Sequence, residues 1–170
     1  MATVSKGTKK HVYFDGFWGD YWPSLKELEP YFLAPRGKEW FYSQGNDSGH
    51  LALQGVDGSE HLPFGRGRID IDLMMWGNPD HGVLLIYSKR GGGVKVDFSS
   101  KRDLSRLSEH VYSLHDTALP IGLFIPFAEA WKAVKEFVET EGQLPVSIEW
   151  VANRDLPPTT FPPPKRPDPR

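Results

Sequence analysis

Two carboxylates that share one face of a predicted strand are the residues of this sequence best placed to do chemistry. Asp70 and Asp72 lie in the alternating run Ile69 to Trp76, so their side chains point the same way and stand roughly 7 Å apart. Glycosidases use carboxylate pairs at comparable separations, but they need a cleft that gives the two groups different pKa values. A solvated strand face is the plainer interpretation. A third, intermediate interpretation is an acidic binding face that ends in Trp76 and would suit a positively charged partner.

The histidines are the second group that could carry chemistry. Asp80 with His81, and His115 with Asp116, could supply an acid–base pair or metal ligands. Their spacing matches no metal-ligand motif, and surface histidines in turns are the simpler interpretation. The sequence contains no Gly-x-Ser-x-Gly elbow, and its glycine runs are not followed by the Lys-Ser/Thr of a phosphate loop. We therefore predict no catalytic residue, no cofactor and no metal. A small hydrolase using Asp70/Asp72 or His81/His115 is the alternative.

A third group lies in the stretch from Phe14 to Trp22, where aromatic residues alternate with glycines and two carboxylates. Such residues can fold back as a small core, or they can form a hot-spot cluster for a protein partner. The aromatics could also stack on the bases of a single-stranded nucleic acid, but the neighbouring acids oppose phosphate. A protein partner is favoured, and the residues expected to contact it here are Asp15, Trp18, Asp20, Tyr21 and Trp22.

Composition limits the classes of protein to consider. The chain has 170 residues, 39% hydrophobic and 25% charged, with a net charge of −2, which is ordinary for one globular domain and unfavourable for a general nucleic-acid binder. The absence of cysteine excludes disulfides, thiol catalysis and cysteine-bound zinc. Neither a secretory signal nor an apolar run of membrane-helix length is seen. We expect a cytoplasmic location.

The element that organises the chain is a predicted helix after Pro126, followed by a strand over Val146 to Trp150. Pro126 suits a helix start, and Gly142 suits the stop that follows it. Beyond the break at Pro145 the apolar period changes from 3.6 to 2. The helix has one continuous apolar face, made by Phe127, Ala130, Trp131, Val134, Phe137 and Val138.

Further strands are predicted along the rest of the chain. Alternating or apolar runs at 11–14, 69–76, 83–88 and 94–98 predict strands, and the last three predict an antiparallel meander. The runs 40–43 and 50–54 predict a hairpin. Ser24 to Glu27 fits the capping box of a helix that Pro30 should cut short. Helical spacing of Leu104, Leu107 and Val111 favours a helix within 100–113.

Together these elements predict an α+β fold: a mostly antiparallel sheet of about six strands with helices packed on one side. We expect a single domain over residues 1–154 that begins with a polar arm at 1–10. The proline-rich residues 155–170 are expected to form a flexible tail, because such composition cannot build a packed core.

At the helix–strand unit the sequence resembles the immunity proteins of bacterial polymorphic toxin systems, in particular the family usually encoded beside deaminase-fold toxins. The resemblance covers roughly residues 40–151 and departs from the family pattern at Glu141, which separates the threonine from the glycine, and at Ile148, where valine is common. The residues that carry it are Ile125, Pro126, Ala130, Val134, Phe137, Thr140, Gly142, Pro145 and Trp150.

The resemblance implies a cytoplasmic antidote that binds a cognate toxin domain, usually a cytosine deaminase acting on nucleic acid, and covers its active site. It carries over no catalytic residue, because the family is not enzymatic. The partner-binding residues expected here are those named above, with Asp70, Asp72 and Trp76 on the strand and Asp15 to Trp22 in the loop. A single-strand nucleic-acid module using Trp18, Tyr21, Trp22 and the basic tail is a further alternative.

Overall fold

The computed structural model describes residues 4–5, 7–33 and 47–162. Within these residues lie the two helices α1 (Leu25–Leu33) and α2 (Phe127–Glu139). The strands are β1 (Lys9–Phe14), β2 (Phe17–Gly19), β3 (Ser48–Val56), β4 (Ile69–Asn78), β5 (Gly82–Gly91), β6 (Val94–Ser100), β7 (His110–Tyr112), β8 (Ala118–Pro120), β9 (Phe124–Ile125) and β10 (Trp150–Ala152).

The strands confirm the predicted α+β fold and its antiparallel meander. In the described part of the chain one eight-stranded sheet runs in the order β10-β6-β5-β4-β3-β1-β2, and β9 pairs with the start of β5 beside β6. Strands β7 and β8 form a separate hairpin. The sheet is wider than predicted because β2 and β9 are three and two residues long, too short for an alternating pattern to reveal them.

The main core lies between one face of the sheet and the two helices. Inward-facing strand residues such as Val12, Leu51 and Leu73 are fully buried there. Helix α2 contributes the apolar face that its spacing predicted, and Phe137 is fully buried. The stop at Gly142 is confirmed, since its φ of 95° is a left-handed conformation that glycine adopts without strain. Both helices therefore lie on one side of the sheet, as predicted.

Helix α1 begins as predicted but ends later. The capping box is confirmed: the Glu27 amide donates to Ser24 Oγ at 3.1 Å, and the Ser24 amide donates to the Glu27 carboxylate at 3.0 Å. Pro30 was wrongly expected to cut the helix short. It removes a single backbone donor, whereas Phe32 in the last turn is buried and stacks on Trp131 with ring centroids 5.6 Å apart. Burial of that ring holds the turn beyond the proline.

The helix expected within residues 100–113 is wrong. Leu104–Arg106 forms one 3-10 turn, capped by the Asp103 carboxylate, which accepts the Ser105 amide. Residues 110–112 then form β7, which pairs with β8. Leu107 and Val111 do pack inward, but onto the sheet face opposite the helices. Their spacing therefore reflects a shared contact surface rather than a helical period.

The strand expected over Val146 to Trp150 is also misplaced, because pairing begins only at Trp150. The Glu136 carboxylate of α2 accepts the amides of Val146 at 2.6 Å and Ser147 at 3.1 Å. Those donors are therefore unavailable to a strand ladder, and Val146 is 89% exposed. Residues 146–149 therefore do not form a strand, although their apolar and polar residues alternate, because the Glu136 carboxylate holds the start of this segment.

A second core covers part of the opposite sheet face. Leu84, Ile86, Leu119, Leu123, Phe124 and Leu156 form it. Met74, Trp76 and Phe161 pack against it. Ser100 fastens this layer to the sheet, since its hydroxyl donates to the Leu123 carbonyl at 2.6 Å and accepts the Leu85 amide at 3.0 Å.

Parts of the two terminal segments contact the folded domain where the structure describes them. Leu156 and Thr160 are buried, and the Thr160 carbonyl lies 2.9 Å from His110 Nε2, whereas residues 157–159 are exposed. Within the predicted polar arm, the Thr8 hydroxyl donates to the Gly55 carbonyl, and β1 already begins at Lys9. The rest of the expected tail, 163–170, and the predicted strand at 40–43 lie outside the described residues.

Candidate protein-binding face

Among the described residues, the second core covers only part of its sheet face and leaves the rest uncovered. We call this uncovered part the open face. Strand alternation places His11, Tyr13, His50 and Asp72 on this side, because Val12, Phe14, Leu51 and Leu73 point into the main core. The open face is formed by Lys9, His11, Tyr13, Trp18, Asp20, His50, Gln54, Asp70, Asp72, Ser88, Arg90, Lys95 and Asp97.

An exposed aromatic pair marks one end of the open face. Trp18 on β2 is paired in register with Tyr13 on β1, and Tyr13 in turn with His50 on β3. Trp18 is 73% exposed and Tyr13 52%. The Tyr13 and His50 rings meet edge-on with centroids 6.3 Å apart. Large aromatic surface that faces solvent beside a polar row is typical of a protein-binding patch.

The carboxylates of the open face differ in how far they are already engaged. Asp70 accepts two hydrogen bonds from Arg68, each at 2.9 Å, and one from the Gly55 amide. Asp97 is held by the Ser88 hydroxyl and the Arg90 guanidinium. Two of the four carboxylates are thus neutralised by arginines. The face is therefore mixed in charge rather than simply acidic.

Asp72 lies at the centre of the open face in a poorly compensated position. Its Oδ1 is buried and lies 3.5 Å from His50 Nδ1, a contact whose geometry does not make a hydrogen bond. Burial raises the pKa of Asp72 to about 7, although the Arg90 charge acts in the opposite direction. Burial also lowers the pKa of His50, and the charge of neighbouring His11 adds to this. At neutral pH the two groups therefore do not form a charged pair.

His11 and Asp20 extend this cluster towards the edge. His11 Nδ1 lies 3.3 Å from the Asp20 carboxylate, which is 71% exposed. The His11 and His50 rings lie 5.8 Å apart. The row from Asp20 through His11 and His50 to Asp72 therefore places two imidazoles between two acids, beside the two exposed aromatics.

The structure brings four of the predicted partner-binding residues onto the open face: Trp18, Asp20, Asp70 and Asp72. Tyr21, 44% exposed, lines a cavity at the sheet edge with Trp22 and Leu53, which pack with the main core, so it lies off the open face.

The other predicted residues lie elsewhere. Trp76 packs against the second core. Trp22 packs against the main core, where its indole N–H is shared between the His11 and Ala52 carbonyls. Asp15 occupies the β1–β2 turn, where its carboxylate accepts the Tyr31 hydroxyl from α1.

Sequence reasoning missed Tyr13, His11 and His50. The signal was present, because Val12 and Phe14 alternate with His11 and Tyr13 along β1. A strand edge that pairs with β3 puts those two side chains next to His50 and Asp72. The alternation alone could not show which face of the strand would be covered.

The hydrolase alternative gains no support from this geometry. Asp70 is held by Arg68 in an ion pair. Asp70 and Asp72 also lie side by side on one strand of the sheet surface rather than across a cleft. His81 lies beside Phe124, whereas His115 lies in the exposed β7–β8 turn. In the ranges the structure describes, no cluster of three or more histidine or carboxylate side chains is arranged to hold a metal ion.

The fold thus defines an α+β protein whose described residues leave part of one sheet face uncovered. Residues 43–152 match the family model described as Immunity protein Imm1. Because the match spans well over half of the chain, the protein belongs to the Imm1 immunity protein family, which confirms the resemblance to an immunity family. Membership implies a cognate toxin as partner and suggests a role other than catalysis. Searches of curated proteins and of solved structures each found no match. None of the described helices has the length and apolar character needed to cross a membrane.

Proposed function

We propose that this immunity protein protects the producing cell from a nucleic-acid deaminase toxin, in the cytoplasm, by laying its open face over the toxin's active site. The observation that carries the proposal is the exposed Trp18–Tyr13 pair beside an uncovered polar row. An immunity protein needs one surface that its toxin can bury. In the described part of this chain, the open face combines exposed aromatics with poorly compensated charges.

The size of the open face suits such an interface. From β2 to β6 it crosses five strand spacings, which amounts to roughly 24 Å. A standard protein–protein interface buries about 800 Å² on each partner, a patch of comparable width. Aromatic anchors such as Trp18 and Tyr13 supply much of the binding free energy of an interface, while the neighbouring polar groups set register.

The charges of the open face suit a basic partner. An enzyme that acts on nucleic acid has a basic groove, because it must attract phosphate. Asp20 is exposed, and Asp72 lacks a good hydrogen bond on one oxygen. A lysine or arginine of the groove would supply the missing partner and favour the charged form of Asp72.

The test uses the toxin domain encoded beside this protein's gene, with Trp18→Ala as the probing variant. Truncating an exposed aromatic anchor should weaken the affinity for the toxin at least tenfold and lower protection in co-expression. Tyr112→Ala is the matched control, since Tyr112 is 68% exposed but lies on β7, away from the open face. Equal affinities of the two variants, measured by calorimetry, would place the interface elsewhere.

The chemistry of the toxin is tested separately. With the purified toxin domain and single-stranded nucleic acid, conversion of cytosine to uracil should be measurable and should stop at one equivalent of the immunity protein. A toxin that is inhibited in this way but cleaves or otherwise modifies its substrate would remove the deaminase part of the proposal and leave the interface intact.

A further inference from the structure

We propose that the free stretch of β6, residues 94–97, is a second docking element at which an extended segment of the toxin adds as a further strand of the sheet. This inference rests on the proposed function, because it takes the toxin as the partner. The contact is backbone pairing along a sheet edge, which the open face alone does not supply.

The backbone of this stretch has a partner strand on one side only. Strand β5 pairs with all of β6 from Val94 to Ser99, whereas β10 reaches only residues 98–100. Among the described residues no strand continues β10 along residues 94–97, because the chain turns away into the 3-10 turn Asn153–Asp155.

The alternation of an antiparallel ladder shows which groups are free. Gly91 and Val94 flank a two-residue turn whose glycines both have positive φ, so Val94 bonds to β5. Because successive residues of a strand bond alternately to one side and the other, Lys95 and Asp97 direct their backbone N–H and C=O groups away from β5. Lys101 confirms this phase, since its amide donates outwards to the Glu149 carbonyl at 3.2 Å.

Two concave surfaces flank this edge, one on each face of the sheet, and both are lined by Val96 and Phe98. On the helix side a groove of about 550 Å³ lies between β6 and the segment after α2, and it includes Leu144 and the 89% exposed Val146. On the other side a cavity of about 430 Å³ includes Lys95 and Arg154. A lysine on an edge strand can serve merely to prevent aggregation, but that role requires no groove on either face.

The side chains around the edge specify the occupant. A residue paired opposite Val96 would place its side chain in the apolar groove, next to Val146. Its neighbour opposite Lys95 would lie against two exposed cations. Lys95 forms no ion pair with a described residue, and Arg154 is 85% exposed, with its Nε 4.0 Å from the Asp155 carboxylate. The segment that fits therefore alternates apolar and acidic side chains.

A second copy of this chain fits less well. Its own acidic residue on the strand, Asp97, is already bound by Ser88 and Arg90. Two copies paired through β6 would bring their Lys95 and Arg154 side chains near each other, and the neighbouring carboxylate, Asp155, already lies 4.0 Å from Arg154. Charge complementarity therefore favours the toxin segment over self-association.

The test is a matched pair of full-length variants, Lys95→Pro and Lys95→Ala, titrated with the toxin domain. Both remove the lysine charge, but only proline removes the outward N–H, and proline is tolerated at such an edge position. We expect Lys95→Pro to bind roughly tenfold or more weakly than Lys95→Ala, because it blocks the added strand. Thermal unfolding of the free variants checks that both are folded.

Amide hydrogen exchange on the wild-type complex supplies a second readout that needs no variant. The Lys95 and Asp97 amides should exchange fast in the free protein and slowly when the toxin is bound. Equal affinities of the two variants, or unprotected amides in a formed complex, would overturn the edge contact while leaving the proposed function standing. Absence of toxin binding by the wild type would overturn both. Protection of these amides in the free protein, or a dimer that Lys95→Pro dissociates, would assign the edge to another occupant.

Discussion

At the scale of single residues, Asp72 is the clearest case of a group whose environment opposes its charge. Between its ordinary pKa of 3.8 and the raised value of about 7, the folded protein holds a proton that the unfolded chain releases. Stability contributed by Asp72 is therefore present below pH 4 and is lost as the pH rises through 7. His50, with its lowered pKa, acts in the opposite direction as the pH falls below 6.5.

Asp72→Asn should remove the loss of stability that ionisation of the buried Asp72 carboxyl causes at high pH. We expect the variant to be more stable than wild type at pH 8 by about 1–2 kcal/mol, a value reduced because the side chain is one-third exposed. At pH 4 the two should agree. Urea unfolding at both pH values measures the difference, with Asp116→Asn in the exposed β7–β8 turn as the control for loss of a charge. A variant that is less stable than wild type at pH 8 would contradict the assignment.

Trp22 was expected to contact a partner, but its position predicts a structural effect. Trp22→Phe keeps the ring contact with Phe137, at 5.2 Å, and leaves the His11 and Ala52 carbonyls without their indole donor. We expect a loss of about 1–2 kcal/mol of unfolding free energy with unchanged affinity for the toxin. Weaker binding at full stability would place Trp22 in the interface after all.

Residue patterns in the sequence show which side chains share a face more reliably than they show which face is exposed. Alternation correctly placed Asp70 and Asp72 together and opposite Leu73. It could not show that the sheet would cover Trp76 and leave Tyr13 uncovered, because that depends on where the segment after β6 packs. Trp18 and Trp22, four residues apart, differ because Trp22 packs against the main core whereas Trp18 lies on the open face.

At the scale of elements, local capping and helical periodicity were the most informative signals. The Ser24–Glu27 box and the apolar face of α2 are set by neighbouring residues, so the sequence was sufficient to predict them. The strand at 146–150 failed because a distant carboxylate, Glu136, uses its backbone donors. Interactions of this kind leave no period in the sequence.

Glu136→Ala tests this link between α2 and the segment after it. Removing the carboxylate leaves the amides of Val146 and Ser147 to water, so we expect a stability loss of about 1 kcal/mol, limited by partial exposure. Glu139→Ala, an exposed glutamate on the same helix, should change stability by less than about 0.5 kcal/mol. Thermal unfolding compares the two, and equal losses would mean that the contact contributes little.

At the scale of the whole molecule, one apolar layer packs on each face of the sheet, and the second layer includes residues of the C-terminal segment. Composition suggested that residues after 155 could not pack, because proline was taken as a sign of disorder. Leu156 and Phe161 nevertheless join the second core, since a few apolar residues between prolines suffice when a surface is already there.

Phe161→Ala should therefore destabilise the protein by about 1–3 kcal/mol, less than the loss of a fully buried phenylalanine. Phe64→Ala is the matched control, because Phe64 is 78% exposed and should cost little. Chemical unfolding measures both. Equal stabilities would show that the second core does not need its C-terminal part.

The order of the layers along the chain has a consequence for synthesis. The strands that carry the open face, β1 to β6, leave the ribosome before α2 and before Leu156 and Phe161. A nascent chain that stops at residue 125 carries the residues of the open face but lacks α2, which supplies much of the main core. If the open face binds the toxin as proposed, a chain that ends at residue 125 should therefore be unstable and give no protection.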